Sequence, residues 1–251
     1  MDSKQRFSNR VETYVKYRPG YPKEAIDHVY EALGIGPDAE IADVGAGTGI
    51  FTRLLLERGS RVTAVEPNRE MREAAEASIG ENPKFRAVAG SAEETGLPDG
   101  AVDAVVCAQA FHWFDRDAAK LEFHRILRPN GKAALIWNTR LTSGTPFLEG
   151  YERLLHELGT DYGAVNHRNI SEDMLKAFFR EGTMHVARFV NRQIFDFDGV
   201  KGRLLSSSYS PAPGHPNHEP MLRELRALFD RCQEDGVVFF DYETEVYTGE
   251  V

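Results

Sequence analysis

The run Ile41-Ala42-Asp43-Val44-Gly45-Ala46-Gly47-Thr48-Gly49-Ile50 constrains this chain more than any other stretch. Its first half reads as a buried strand, and its second half places glycine at every other position. Phe51, Leu54 and Leu55 then recur at helical spacing, so a helix begins directly after the turn. Glycines let the backbone turn tightly and let a ligand approach without meeting a Cβ. The helix start offers unpaired N–H groups to ligand oxygens. Strand, glycine turn and helix in this order predict an α/β fold with a nucleotide-type cofactor at the turn. The other reading of the same residues is a tight strand-to-helix turn with no ligand.

Spacing sharpens the choice. A dinucleotide fingerprint, G-x-G-x-x-G, needs its third glycine at position 50, which is Ile50. Here the third glycine is Gly49, and Asp43 stands two residues before Gly45. This arrangement resembles the first motif of the class I S-adenosylmethionine-dependent methyltransferases. The resemblance implies S-adenosylmethionine as cofactor, held by Asp43, Gly45, Ala46, Gly47, Thr48 and Gly49. Val62 to Val65 is a second short apolar strand closed by Glu66, and an acid at that strand end can accept both ribose hydroxyls. Pro67 follows it and opens a helix. By the resemblance Met71 lies against the adenine, although a helix Met also serves as core. After the third strand, Phe85 to Ala89, Ser91, Ala92 and Glu93 resemble the loop that meets the adenine, Ala92 through its N–H and Glu93 as an acceptor.

Val102 to Ala108 is apolar apart from Asp103, which fits a central parallel strand covered on both faces. It runs into Gln109-Ala110-Phe111-His112-Trp113-Phe114-Asp115. Ligands of open α/β sheets sit outside the carboxyl ends of the strands. The segment closely resembles that of trans-aconitate-methyltransferase-like proteins, in the methyltransferase type 11 branch. Gln109 and Ala110 are implied to touch the cofactor, Gln109 and His112 to carry the chemistry, and His112 and Trp113 to face the acceptor. Trp113 and Phe114 could equally anchor the next helix. Near the N-terminus, Tyr17-Arg18-Pro19-Gly20-Tyr21-Pro22 is extended by its two prolines. It resembles the family's opening segment, which brings Tyr14, Tyr17 and Arg18 toward the methionine end of the cofactor, with Tyr17 also toward the acceptor. Aromatic faces suit a sulfonium. The arm is either a lid or a packing segment. Arg140 and Tyr209 complete the acceptor set; Arg140 either holds a carboxylate or is an exposed loop residue.

The implied fold is a three-layer Rossmann-like sheet of seven mostly parallel strands with the last reversed, plus an N-terminal arm and a helical cap. One domain, 1–251, divides into an arm and helix (1–36), a cofactor-binding core (37–140), a cap insertion (141–182) and the C-terminal part of the sheet (183–251). Periodicity predicts helices over Pro22 to Leu33, Phe147 to Leu158, Met174 to Phe179, Val200 to Leu205 and Met221 to Cys232. Arg116 to Leu127 is a further helix with Leu121, Phe123, Ile126 and Leu127 inward. Arg128 to Gly131 reads as a turn and Ala133 to Trp137 as the fifth strand. Val186, Phe189, Ile194, Phe195 and Phe197 mark a bent strand over 184–197, and Gly236 to Tyr247 is the reversed last strand.

A net charge of −9 argues against a polyanionic partner such as nucleic acid. No apolar run is long enough to span a bilayer, and Met1 to Arg10 lacks the apolar core of a signal peptide. Cys107 and Cys232 suit a reducing cytoplasm and neither a disulfide framework nor a zinc site. His215 and His218 sit in a polar loop without accompanying ligands, so no metal is expected. The expected partner is a small-molecule methyl acceptor, and the chain a monomer or homodimer. A carboxylate acceptor is already ionised at neutral pH, whereas a hydroxyl or amine would need a base, for which His112 leads. The other readings are an NAD-dependent oxidoreductase and a non-catalytic S-adenosylmethionine-binding regulatory protein.

Overall fold

The computed structural model of the protein describes residues 17–160, 162 and 170–251. Tyr14 lies outside the described residues. Seven strands form one sheet in the order β3-β2-β1-β4-β5-β7-β6. They are β1 (Glu40–Val44), β2 (Arg61–Val65), β3 (Phe85–Val88), β4 (Val102–Ala108), β5 (Leu127–Arg140), β6 (His185–Phe195) and β7 (Val238–Gly249). The first five pair in parallel; β7 inserts between β5 and β6 and runs antiparallel to both. The last strand is therefore reversed, and the carboxyl ends of β1, β2, β4 and β5 open on one edge.

Alternation along the strands explains the layers, because successive side chains face opposite sides of a sheet. Ile41, Ala104, Val106, Ala134 and Ile136 face α1 (Lys23–Leu33) and α2 (Ile50–Glu57). Ala42, Val44, Val105, Cys107, Leu135 and Trp137 face α4 (Arg116–Ile126) and α6 (Glu172–Phe178). Between them, α3 (Arg69–Ile79) connects β2 to β3. Both faces are thus covered, as a parallel sheet requires. A third cluster joins α5 (Pro146–Leu158), α7 (Phe197–Leu205) and α8 (His218–Cys232) to Val238, Phe240 and Tyr242 of β7. It stands at the edge where the parallel strands end. Of the two helices in 141–182, α5 belongs to this cluster and α6 to the sheet face. No helix among the described residues is long and apolar enough to cross a membrane.

Two local expectations are corrected. Leu121 is 74% exposed, not inward. The inward stripe of α4 is Ala119, Glu122, Phe123 and Ile126, and Leu121 falls on the opposite side of the turn. Glu122 earns that inward position through contacts: it accepts from Thr95 N–H at 2.8 Å and Thr95 Oγ1 at 2.6 Å and pairs with Arg125 at 2.7 Å. Second, no free turn separates α4 from the fifth strand. Leu127 pairs directly with Val102, and a register shift before Ala104↔Lys132 absorbs the extra residues around Asn130, whose φ is +67°. On the edge strand β6, Val186, Val190 and Ile194 form an exposed stripe.

Candidate active site

The glycine turn is fastened to the end of β2. Gly45 N–H and Ala46 N–H donate to Val65 O at 2.9 and 3.2 Å, and Gly47 N–H donates to Glu66 Oε2 at 2.8 Å. Glu66 Oε1 accepts from Asn68 N–H at 2.8 Å. The carboxylate is buried, which raises its pKa; the two backbone bonds oppose that shift. An ionised carboxylate has lone pairs for about four hydrogen bonds, so Glu66 keeps acceptor capacity for a ligand's hydroxyls. Gly45, Gly47 and Gly49 all have positive φ, yet they differ in what a side chain would meet. A Cβ at Gly45 would stand 2.4 Å from Ala110 Cβ, and one at Gly49 would stand 2.6 Å from Ile79 Cδ1. At Gly47 the nearest atom is Met71 Sδ at 3.8 Å. Gly47 therefore borders open space, whereas its neighbours serve packing.

One cavity of about 260 Å³ opens over this turn. A single water needs roughly 10–15 Å³ by the same measure, so the cavity holds a far larger guest. Of the residues the sequence singled out, Arg18, Asp43, Gly45, Ala46, Gly47, Thr48, Glu66, Pro67, Met71, Ser91, Ala92, Glu93, Gln109, Ala110, His112, Trp113, Arg140 and Tyr209 line it. Gly49 and Tyr17 stand off its wall. Gly49 packs on α3, and Tyr17 lies across α7 so closely that a Cβ at Gly202 would come 2.2 Å from its ring.

Several features mark the turn end as a polar ligand site. Asp43 is fully buried; its Oδ2 accepts from Thr52 Oγ1 at 2.6 Å, while its Oδ1 and the Thr48 hydroxyl have no hydrogen-bond partner among the described residues. Burial pushes Asp43 up to about 7, and the charge of Glu66 adds to the shift against the Thr52 hydrogen bond. Buried polar atoms are normally paired, so such atoms on a cavity wall fit a polar guest. Gln109 takes φ +60°, a left-handed conformation costly for a non-glycine residue and typical of functional sites. Its Nε2 donates to Asn138 O at 3.3 Å. The donor and acceptor chemistry of this wall, with buried carboxyl groups beside the apolar side chain of Met71, fits S-adenosylmethionine, which brings hydroxyl and N–H donors, a sulfonium and an apolar ring.

The opposite end is built by elements far apart in sequence. Asn138 Nδ2 and Asn191 Nδ2 both donate to Gly20 O, at 3.0 and 2.9 Å, and Gln193 Nε2 donates to Tyr17 O at 3.3 Å. The arm is thereby stitched to β5 and β6 beside the cavity, and Arg18 Nη2 donates to Ser206 O at 3.3 Å. Arg140 pairs with Glu152 and donates to Tyr162 OH at 3.1 Å. Asn138, Tyr162, Arg203, Ser208 and Tyr242 also line this end. Arg203, Tyr162, Ser208 and Tyr242 were not among the sequence candidates. A signal existed for one of them: Val200, Arg203 and Leu204 share a helical stripe, which puts a cation at a core position.

The methyltransferase-domain family model matches residues 42–135. An uncharacterized methyltransferase of Schizosaccharomyces pombe is 34% identical over 250 residues, covering 97% of this chain and 96% of its own. An uncharacterized methyltransferase of Mycobacterium tuberculosis is 45% identical over 134 residues, covering 53% of this chain. That match spans about half the length of the mycobacterial relative, 52%. Among solved structures, one named "Putative Type II Methyltransferase" from Anaeromyxobacter dehalogenans superposes with a TM-score of 0.69 at 22% identity, covering 93% of this chain and 98% of its own.

Proposed function

The chain belongs to the class I S-adenosylmethionine-dependent methyltransferases, and we propose that it methylates a carboxylate oxygen of a small-molecule acid. Family membership replaces the oxidoreductase alternative. The observation that carries the acceptor reading is the division of charge along the cavity wall. Its acids, Asp43, Glu66 and Glu93, stand around the glycine turn and the loops beside it; its guanidiniums, Arg18, Arg140 and Arg203, stand at the other end. A cationic cofactor suits the first end, and an anionic acceptor the second.

S-adenosylmethionine, when bound, would supply an electrophilic methyl group on a sulfonium, with a neutral thioether as the leaving group for an attacking carboxylate oxygen. The side chains then have three tasks. Gly47 and Glu66 fix the nucleoside end, so that orientation supplies much of the barrier reduction. Gln109, held by its strained backbone, and His112 line the passage between the two ends. The arm residues Arg18 and Pro19 close one side against water. A carboxylate acceptor brings no proton to remove, so His112 acts in this reading as a hydrogen-bonding wall group and not as a base. Tyr209 supports an anionic guest. Burial alone would raise its pKa, but the charges of Arg203, Arg18 and Arg140 and a hydrogen bond with Ser207 turn the net shift downward.

The test is a turnover screen with S-adenosylmethionine against small mono-, di- and tricarboxylic acids, with amines and phenols as controls, read by mass spectrometry. Methyl esters from at least one acid are expected. Transfer to an amine or phenol with no ester from any acid would reject the carboxylate reading while leaving the family assignment intact.

A further inference from the structure

Helix α7 carries a cation where its periodicity calls for an apolar residue. Arg203 shares its stripe with Val200 and Leu204, both fully buried, and is itself only 6% exposed. Its partners are neutral. Nε donates to the Tyr242 hydroxyl at 3.3 Å, and Nη1 donates to Ser207 Oγ at 2.9 Å. The remaining groups that feel its charge most are Tyr209 and Tyr151. No carboxylate among the described residues pairs with it. The contrast with Arg140 is direct, since Arg140 has Glu152 as a counter-charge.

A desolvated cation without a counter-charge is strongly unfavourable, and replacing such a group with an apolar side chain of similar size is often stabilising. A guanidinium fork also has more N–H donors than two hydroxyls use. Arg203 lines the cavity together with Ser208, Tyr209 and Tyr242. The missing charge is therefore one that a guest can bring.

We propose that Arg203, ringed by Ser207, Tyr209 and Tyr242, is the anion anchor of the acceptor end, and that it binds a carboxylate or phosphate group of the acceptor other than the group methylated. The inference rests on reading the cavity as a methyl-transfer pocket. The anchored group must differ from the reacting one for a reason of charge. Esterification neutralises a carboxylate, so a guanidinium bound to the reacting group would finish the reaction buried and alone. Its hydrogen bonds would also draw electron density from the attacking oxygen. An anchor has to keep its charge through the reaction.

The experiment needs neither cofactor nor turnover. Thermal unfolding of the wild type, Arg203→Met and Arg203→Lys is followed while inorganic phosphate or tricarballylate is titrated, with chloride at equal ionic strength as control. The wild-type midpoint is expected to rise saturably with one of the two oxyanions and not with chloride. The oxyanion giving the stronger rise identifies the anchored group. Arg203→Met is expected to start at least as stable as the wild type and to bind the oxyanion about ten- to hundredfold more weakly, the span of a lost charge-assisted hydrogen bond. Hydrogen bonds remain for the hydroxyls it abandons, because Tyr242 OH donates to Gln193 Oε1 at 2.8 Å and Ser207 Oγ keeps the Arg203 carbonyl at 3.4 Å. Arg203→Lys retains a point charge without the fork and falls between the two. A purely structural Arg203 would give the opposite pattern: a less stable Arg203→Met with the anion response unchanged. That result overturns the proposal. So does a wild type that cannot tell either oxyanion from chloride, which stands even if a variant fails to fold. Calorimetric titration of S-adenosylhomocysteine into the wild type tests the underlying pocket separately. Cofactor binding without an oxyanion response rejects the anchor alone, and absence of cofactor binding rejects the pocket.

Discussion

Gly47→Ala separates a ligand-facing glycine from a packing glycine. Gly47 has φ +57°, so alanine there adopts a left-handed conformation at a cost of about 1–2 kcal/mol. The added methyl meets nothing closer than Met71 Sδ at 3.8 Å, which is ordinary contact, and Gly47 N–H can still donate to Glu66. For a chain of this size each kcal/mol lowers the unfolding midpoint by roughly 2–4 °C, so the total fall is only a few degrees. The methyl does occupy the open side of the turn, where the cofactor must approach. Losing one polar contact there weakens S-adenosylhomocysteine about ten- to hundredfold. Gly49→Ala behaves differently. It adds overpacking against Ile79 Cδ1 at 2.6 Å and Ala75 Cβ at 3.3 Å to the same backbone strain, for a combined loss of roughly 2–5 kcal/mol. Gly45→Ala, 2.4 Å from Ala110 Cβ, belongs with it. The assay pairs thermal unfolding with calorimetric titration of S-adenosylhomocysteine for all three variants, with NAD as the control ligand. Wild-type affinity in Gly47→Ala would refute the placement of the cofactor at this turn. A Gly47→Ala midpoint as low as that of Gly49→Ala would refute the reading of its Cβ space as open.

Asp43, raised to about 7, holds its proton in the folded chain well after the unfolded chain has lost it. Folding stability from this group is therefore greatest in acid and falls as pH rises from about 4 to about 7, by an amount on the order of 4 kcal/mol; Asp43→Asn should remove that slope from urea unfolding curves, and parallel curves for the two proteins would refute it. Glu122 has the opposite sign. Its bonds to Arg125 and Thr95 hold it down at about 2, so its contribution is present above about pH 4 and fades as pH falls toward 2. Glu122→Gln should cost about 1–3 kcal/mol at neutral pH and progressively less in acid, measured by the same unfolding series. Gln109→Gly should leave stability within about 1 kcal/mol of the wild type because φ +60° suits glycine, whereas Gln109→Val should lose roughly 1–3 kcal/mol; equal losses in denaturant would argue against backbone strain at that position.

The sheet was legible because its signals are local. Ile41 to Val44, Val62 to Val65 and Val102 to Ala108 are short apolar runs, each ended by a turn or a polar group, and β1, β2 and β4 fall on them within a residue or two. The glycine spacing similarly located the turn, and Glu66 follows from the strand that carries it. Errors arose where a long-range contact decides a residue's fate. Leu121 looks inward by composition, but Thr95 and Arg125 hold Glu122 inward and rotate Leu121 to solvent. The pairing of Leu127 with Val102 likewise extends β5 through a segment whose Pro129-Asn130-Gly131 reads as a turn. Both outcomes depend on partners some 25 residues away, which no window of ten residues contains.

The acceptor end shows the same limit and explains it physically. The cofactor end is made by consecutive strand-to-helix junctions, so its residues announce themselves by spacing. The acceptor end is made where β7 returns between β5 and β6: Arg140 sits opposite Tyr242, Tyr242 opposite Asn191, and α7 lowers Arg203 onto that same Tyr242. None of these contacts has a periodic signature. What the sequence does carry is a contradiction, an arginine within the apolar stripe of α7. A local rule broken without a visible compensating partner marks either a defect or a function. Arg203 is buried among phenols and serines and pairs with no carboxylate among the described residues, which is the observation the proposed anion anchor rests on; under that proposal acceptor selectivity lies in the part of the chain outside the 42–135 family match.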